Sequence, residues 1–221
     1  GSIAVRILSF MKENIDLEFY KKRLNVAYRM RRSIGLINGD YNNTYRLVHG
    51  EGDNLSGLII DIYDKTAVVQ AHSPGMHYAR HTLAQALKEV MGDALQSIYY
   101  KSETTLPYKA ELDPENEYLF GENAGNIATE YGLKFHVDWL RGQKTGFFLD
   151  QKENRAAIHR ICKDKDVLDC FTHTGSFALN AGIAGAKSVL GIDVSQHAVD
   201  CATRNSELNN LQNIVKFECH N

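Results

Sequence analysis

The chain has 221 residues, a length suited to one or two domains of about 100–200 residues each. It is 43% hydrophobic and 24% charged with only 3 prolines, which supplies a sizeable core and excludes global disorder. Its 25 Lys+Arg against 27 Asp+Glu, a formal charge of −2, exclude an obligate polyanion-coating protein and leave local nucleic-acid contacts open.

In chain order, residues 3–8 read as the end of a strand. Asp16 then precedes an amphipathic helix carrying Leu17, Tyr20, Leu24, Ala27 and Tyr28 at helical spacing, with Gly35 near its end. Short strands joined by turns follow: 45–50, 57–63 and 66–72, with turns at Glu51-Gly52-Asp53-Asn54 and Asp64-Lys65. A helix is predicted over 76–91, a strand over 97–101, an acidic loop over 103–123 and further strands across 126–139. From about 150 the pattern becomes helix, strand, helix, strand, helix, strand. Asp166 to Phe171 reads as a buried strand, Ser176 to Ala184 as a helix, Ser188 to Asp193 as a strand, 196–209 as a helix and Ile214 to Glu218 as a third strand. Such alternation builds a parallel sheet with helices on its faces.

No run approaches the ~20 apolar residues of a membrane span, and the first residues lack a signal-peptide pattern. The four cysteines, Cys162, Cys170, Cys201 and Cys219, form no CxxC pair, so reduced thiols in a cytoplasmic protein are expected. His77 and His81 stand four apart but lack the carboxylate of a metal motif, so no metal site is expected.

The chemistry is concentrated in Val167-Leu168-Asp169-Cys170-Phe171-Thr172-His173-Thr174-Gly175. A strand ends in an acid, and a turn containing glycine leads into a helix. Eighteen residues after Gly175 a second strand ends at Asp193, followed by Ser195. Ligands of open parallel sheets bind at the carboxyl ends of strands, and an acid closing the second strand can accept hydrogen bonds from a ribose diol. Phe171 and His173 stand where a dinucleotide motif places glycines, and there is no P-loop lysine. A nucleoside ligand without phosphates fits better, and S-adenosylmethionine is one: Asp169 near its amino group or sulfonium, Asp193 at its ribose. Taken singly, each acid is equally well an ordinary strand-end turn residue.

The segment Gly142-Gln143-Lys144-Thr145-Gly146-Phe147-Phe148-Leu149-Asp150-Gln151-Lys152-Glu153-Asn154-Arg155, with Val167–Gly175, Gly191–Ser195 and Ala198 to Asn205, resembles the PUA-domain-associated class I methyltransferases of large-subunit ribosomal RNA, whose best-known members modify cytosine C5. Arg46-Leu47-Val48, Glu51-Gly52-Asp53 and Gly57-Leu58-Ile59 resemble that family's central α+β domain, and residues 3–9 the last strand of its PUA domain. The resemblance implies an α/β chain: an incomplete Rossmann-like class I methyltransferase domain preceded by a small α+β domain. Residues 1–10 would be a PUA-like remnant, 11–130 the central domain, and 131–221 the first half of a cofactor domain whose seven-stranded sheet stops as its third strand begins. It implies S-adenosylmethionine as cofactor, ribosomal RNA as partner, no membrane, and room for a homodimer. Cofactor-binding residues would be Phe148, Asp150, Arg155, Asp169, Phe171, Thr174, Gly175, Asp193 and Ser195. Arg155 could pair bidentately with a carboxylate. Asp150 could accept from an ammonium or instead cap the helix that follows.

The resemblance carries no residue over as the catalytic nucleophile, and Cys170 is expected to be a small buried hydrophobe. Lys21, Lys22, Arg23, Arg29, Arg31 and Arg32 could track phosphates or form a solvated helix face. Two other readings are a nicotinamide-dependent oxidoreductase, which the missing GxGxxG disfavours, and a non-catalytic RNA-binding or interaction fragment.

Overall fold

The computed structural model describes residues 5–107 and 110–220. The chain forms two compact units, residues 1–126 with 138–147, and residues 127–137 with 148–221. It therefore crosses between units three times, where the sequence suggested boundaries after residues 10 and 130.

The first unit is built on a five-stranded sheet in the order β1 (Thr44–His49), β2 (Leu58–Tyr63), β3 (Thr66–Ala71), β4 (Ser97–Tyr100), β5 (Glu117–Phe120). Neighbours are antiparallel except β3 and β4. That parallel pair needs a crossover, which α2 (Pro74–Tyr78) and α3 (Arg80–Met91) supply. α1 (Leu17–Ser33) starts where the Asp16 carboxylate accepts from the Phe19 N–H at 3.2 Å. Its Leu24 and Ala27 join Leu47, Ile60, Leu87 and Ile98 in one buried core.

β2 and β3 are buried on both faces. Ile60, Ile62, Ala67 and Val69 belong to the core shared with the helices. Asp61, Tyr63 and Gln70 alternate with them and meet the 138–147 segment. Thr145 Oγ1 donates to Asp61 Oδ2 at 2.6 Å, Tyr63 and Thr145 hydroxyls lie 2.8 Å apart, and Trp139 stacks on Tyr63. Arg46 completes the charge balance with two hydrogen bonds to Asp61, at 2.7 and 2.9 Å.

Three expectations change in this unit. The strand over 3–8 is absent from residues 5–8, while Ile3 and Ala4 lie outside the described residues. The helix over 76–91 is two helices meeting at Ala79, because Ser73 and Pro74 start a separate turn earlier, with Ser73 Oγ accepting from the Met76 N–H. The acidic loop over 103–123 contains β5, an edge strand only partly buried, whose weak apolar pattern hides it.

The second unit opens with the hairpin β6 (Ile127–Glu130) and β7 (Leu133–His136), joined by Tyr131-Gly132, both at positive φ as a two-residue hairpin turn requires. α4 (Lys152–Ala157), β8 (Asp166–Cys170), α5 (Ser176–Ile183), β9 (Ser188–Asp193), α6 (Gln196–Leu208) and β10 (Val215–Cys219) follow. The last three strands form a parallel sheet in the order β10-β9-β8. α6 holds β7 by two asparagines one turn apart. Asn205 Oδ1 accepts from the His136 N–H at 2.7 Å, and Asn209 bonds both the N–H and the carbonyl of Lys134.

Expected to be buried, β8 is exposed among the described residues. It lies at the edge of the three-stranded sheet, with Leu168 60% exposed. For the same reason Cys170 is exposed rather than a buried hydrophobe. No helix among the described residues is long and apolar enough to cross a membrane.

Candidate functional site

β8 and β9 run parallel with their carboxyl ends side by side, Asp169 paired with Gly191 and Cys170 with Ile192. This brings Asp169, the 171–175 turn, Asp193 and Ser195 together, as the sequence spacing suggested.

The turn is held from both acids. Asp169 Oδ2 accepts from Thr172 Oγ1 at 2.6 Å and from the Ala178 N–H at 3.1 Å. Asp193 Oδ2 accepts from the His173 N–H at 2.9 Å, and its Oδ1 from the Ser195 N–H at 3.0 Å. Asp169 Oδ1 takes no part in these bonds and each Asp193 oxygen keeps a further lone pair, so both carboxylates can still accept from a ligand. Burial raises the Asp169 carboxyl above its ordinary range against the opposing pull of its two donors. Burial also lowers the His173 imidazole, so this ring is neutral at pH 7.

Phe171, His173 and Gly175 all take positive φ, at 60, 51 and 81°. Gly175 has no alternative, since a Cβ there would sit 2.7 Å from Phe217 Cζ and 3.0 Å from Ala202 Cβ. Gly191 is under the same constraint, 2.5 Å from Phe217 Cδ1 and 2.8 Å from Thr172 Oγ1. The two glycines thus let β10 and α6 close on the turn. Asn205 Nδ2 secures it further by donating to the Thr174 carbonyl at 3.0 Å. Ser195 caps α6, its Oγ accepting from the Ala198 N–H at 3.3 Å. Phe171 is in the turn rather than the strand and is 84% exposed.

The remaining expected residues lie on the Phe148–Arg155 segment. The Phe148 ring meets His173 edge-to-face at 5.3 Å, which ties this segment to the turn. Asp150 is exposed, and no side chain caps α4. Arg155 is not turned toward an open site. It is 1% exposed and makes a bidentate pair with Glu130, Nε to Oε1 at 2.6 Å and Nη2 to Oε2 at 2.7 Å. Its Nη1 donates to the Phe148 carbonyl at 3.0 Å. Glu130 was not singled out by sequence reading. Its signal, an acid in an apolar hairpin, becomes visible only once the pairing is known.

Thr174 Oγ1 is buried with no hydrogen-bond partner among the described residues. No Lys or Arg lies between Asp166 and Ala186, nor between Ser188 and Thr203. Two carboxylates, an orphaned hydroxyl and no lysine or arginine on these two stretches suit a nucleoside with a cationic tail and disfavour a pyrophosphate. No group of three or more His, Cys, Asp or Glu residues among those described could hold a metal ion.

Residues 46–221 match the family model described as S-adenosylmethionine-dependent methyltransferase. This chain belongs to that family. The family match and the donor set agree on the cofactor, S-adenosylmethionine. Among curated relatives, the Ribosomal RNA large subunit methyltransferase I of Vibrio campbellii is 40% identical over 211 residues, covering 95% of this chain and 52% of that protein. The protein of the same name from Erwinia tasmaniensis is 37% identical over 214 residues, covering 96% and 53%. The chain thus spans about half the length of the curated relatives it matches. A candidate SAM-dependent methyltransferase structure from Streptococcus mutans shares the fold with a TM-score of 0.82 at 20% identity, over 97% of this chain and 55% of that one. The tRNA m1G37 methyltransferase of Methanocaldococcus jannaschii matches with a TM-score of 0.57 at 20% identity, over 90% and 51%.

Proposed function

We propose that this chain is the cofactor-binding portion of a methyltransferase that modifies a base of large-subunit ribosomal RNA, with cytosine C5 as the target atom. The observation that carries the reading is the pair of carboxylates, Asp169 and Asp193, at adjacent parallel strand ends inside a segment matching the family model. The named relatives supply ribosomal RNA as the substrate class. Bound S-adenosylmethionine supplies an electrophilic methyl group, so the protein's share is positioning and electrostatics.

In this reading Asp193 accepts from the ribose hydroxyls while its backbone contacts keep the 171–175 turn in place. Asp169 faces the cationic tail, where an ionised carboxylate half out of water is worth most. Thr174 offers its unpartnered hydroxyl. Phe171 and Gly175 shape the turn, Phe148 closes against His173, and Ser195 fixes the start of α6. Asp150 stands at the tail end and is exposed. Arg155 acts one step back, through the Phe148 carbonyl. None of the four cysteines is assigned as nucleophile. Residues 1–10 are read as the end of a PUA-like domain, and the protein as cytoplasmic.

Calorimetry with S-adenosylhomocysteine and with NAD tests the reading. Saturable binding of S-adenosylhomocysteine, lost in Asp193→Ala, is expected. Binding of NAD without S-adenosylhomocysteine would overturn it in favour of an oxidoreductase. Transfer of labelled methyl to ribosomal RNA by a longer chain, with the label in 5-methylcytosine, tests the substrate.

A further inference from the structure

α1 carries six basic residues within twelve positions, and the structure divides them into two groups of three. Lys21 pairs with Glu18 at 2.8 Å and Glu89 at 2.9 Å. Arg23 donates to the Leu8 carbonyl and lies 4.9 Å from the Phe19 ring centroid. Arg31 makes a bidentate pair with Asp53, at 2.5 and 2.8 Å, and is mostly buried. These three hold the helix to its own unit. Lys22, Arg29 and Arg32 are exposed and have no carboxylate partner among the described residues.

The spacing of the second group places it on one surface. Lys22, Asn25, Arg29 and Arg32 follow i, i+3, i+7, i+10 on the side of α1 opposite buried Leu24 and Ala27. No acidic residue occurs between Glu18 and Asp40, so nothing on the helix neutralises this face. Beside it runs an exposed apolar row, Val26, Met30 and Ile34, at 60, 54 and 63% exposure. From Lys22 to Arg32 the face spans about 15 Å of helix. Residues 1–130 hold 14 Lys+Arg against 17 Asp+Glu, so the patch stands out against an acidic background rather than reflecting overall charge.

We infer that this face of α1 is a docking surface for single-stranded RNA. Lys22, Arg29 and Arg32 meet backbone phosphates, and the Val26–Met30–Ile34 row lies against sugar and base edges. Arginine suits the task because its planar fork holds a phosphate bidentately and its face stacks on bases. The inference rests on the RNA-methyltransferase reading for its choice of polyanion, while its residues are separate from the cofactor site.

The test uses the whole chain and a fluorescein-labelled single-stranded RNA of mixed sequence. Fluorescence anisotropy gives the affinity across a salt series. The triple variant Lys22→Glu, Arg29→Glu, Arg32→Glu is compared with Lys163→Glu, Lys165→Glu, Lys187→Glu, which makes the same charge change on three exposed lysines of the other unit. An alanine triple at 22, 29 and 32 guards against a fold disturbed by glutamates. The expected result is a salt slope reduced by about 2 and affinity reduced about a hundredfold at 0.1 M salt in both α1 triples, at about 0.7 counterions released per contact. The control triple should lose far less. Equal losses in the α1 and control variants, no RNA binding by the unsubstituted chain, or binding to anionic vesicles without RNA would each overturn the inference. Calorimetry with S-adenosylhomocysteine on the same proteins keeps the two readings apart. A chain that binds RNA through α1 but no S-adenosylhomocysteine would sink the cofactor reading and leave this one standing.

Discussion

Glu130 and Arg155 form a bidentate ion pair, at 2.6 and 2.7 Å, with side chains only 2 and 1% exposed. The pair joins the β6–β7 hairpin to α4, and through Arg155 Nη1 it reaches the Phe148 carbonyl. Removing one partner leaves a buried charge uncompensated, so Glu130→Gln should cost about 3–5 kcal/mol in urea unfolding. Replacing both by leucine should recover most of that stability, because the desolvation of two ions is no longer required. Cofactor affinity should not recover in the double variant, since the Phe148 carbonyl has lost the bond from Arg155 Nη1. Full recovery of S-adenosylhomocysteine binding would show that the pair is structural only.

Asp169 gives a prediction with opposite signs for stability and binding. Burial raises its carboxyl, so its ionisation opposes folding. Its contribution to the free protein is therefore greatest below the ordinary carboxylate pKa and is lost as pH rises through the folded-state value. Asp169→Asn keeps an oxygen for Thr172 and Ala178 without the charge. Thermal melts at pH 7 should show this variant to be more stable than the parent, with the gap closing below the ordinary carboxylate range. Its affinity for S-adenosylmethionine should fall roughly ten- to a hundredfold, the worth of one charge-assisted hydrogen bond. Unchanged affinity would remove Asp169 from the cofactor's tail.

Much of this was readable in the sequence, for identifiable reasons. The helix at Asp16, the strands carrying Asp169 and Asp193 near their carboxyl ends, and the glycine turn between them are local features with periodicity or capping chemistry of their own. What escaped depends on distant pairing. β5 has weak apolar alternation and is visible only beside β4. Arg155 reads as available for a ligand in the sequence, and its partner Glu130 stands 25 positions earlier, beyond any local pattern. Val167 and Leu168 give β8 the pattern of a buried strand, and it is exposed because the sheet of the described residues ends at it, in a chain that spans about half the length of its relatives.

Gly175 holds the turn at a backbone position that excludes a side chain. Its φ of 81° disfavours any side chain, and an added methyl would meet Phe217 and Ala202 at 3.0 Å or less. Gly175→Ala should destabilise the second unit by roughly 1–3 kcal/mol from backbone strain, before any packing cost. Because the same turn carries Thr174, S-adenosylhomocysteine affinity should fall with it. A variant with parental melting temperature and affinity would show that the turn relaxes freely.

Thr145 tests the first unit. Its hydroxyl donates to Asp61 Oδ2 at 2.6 Å and meets the Tyr63 hydroxyl at 2.8 Å, with all three side chains buried. Burial and the nearby Asp61 charge hold the Tyr63 phenol well above its ordinary range, so it stays a neutral hydrogen-bonding group at any working pH. Thr145→Val keeps the shape and removes the hydroxyl. Asp61 then loses a donor and Tyr63 a partner, which should cost about 1–3 kcal/mol. Thr145→Ser retains the hydroxyl and should recover the polar part of that loss, leaving only the missing methyl. These bonds, the Tyr63–Trp139 stack, the Trp139 bond to the Tyr118 hydroxyl and the Lys101 bond to the Gly142 carbonyl help secure the segment 138–147 to the sheet. Hydrogen exchange in Thr145→Val should therefore accelerate at 138–147 more than in β2 or β3. Uniform acceleration across the whole unit would instead mean that the segment unfolds together with the sheet.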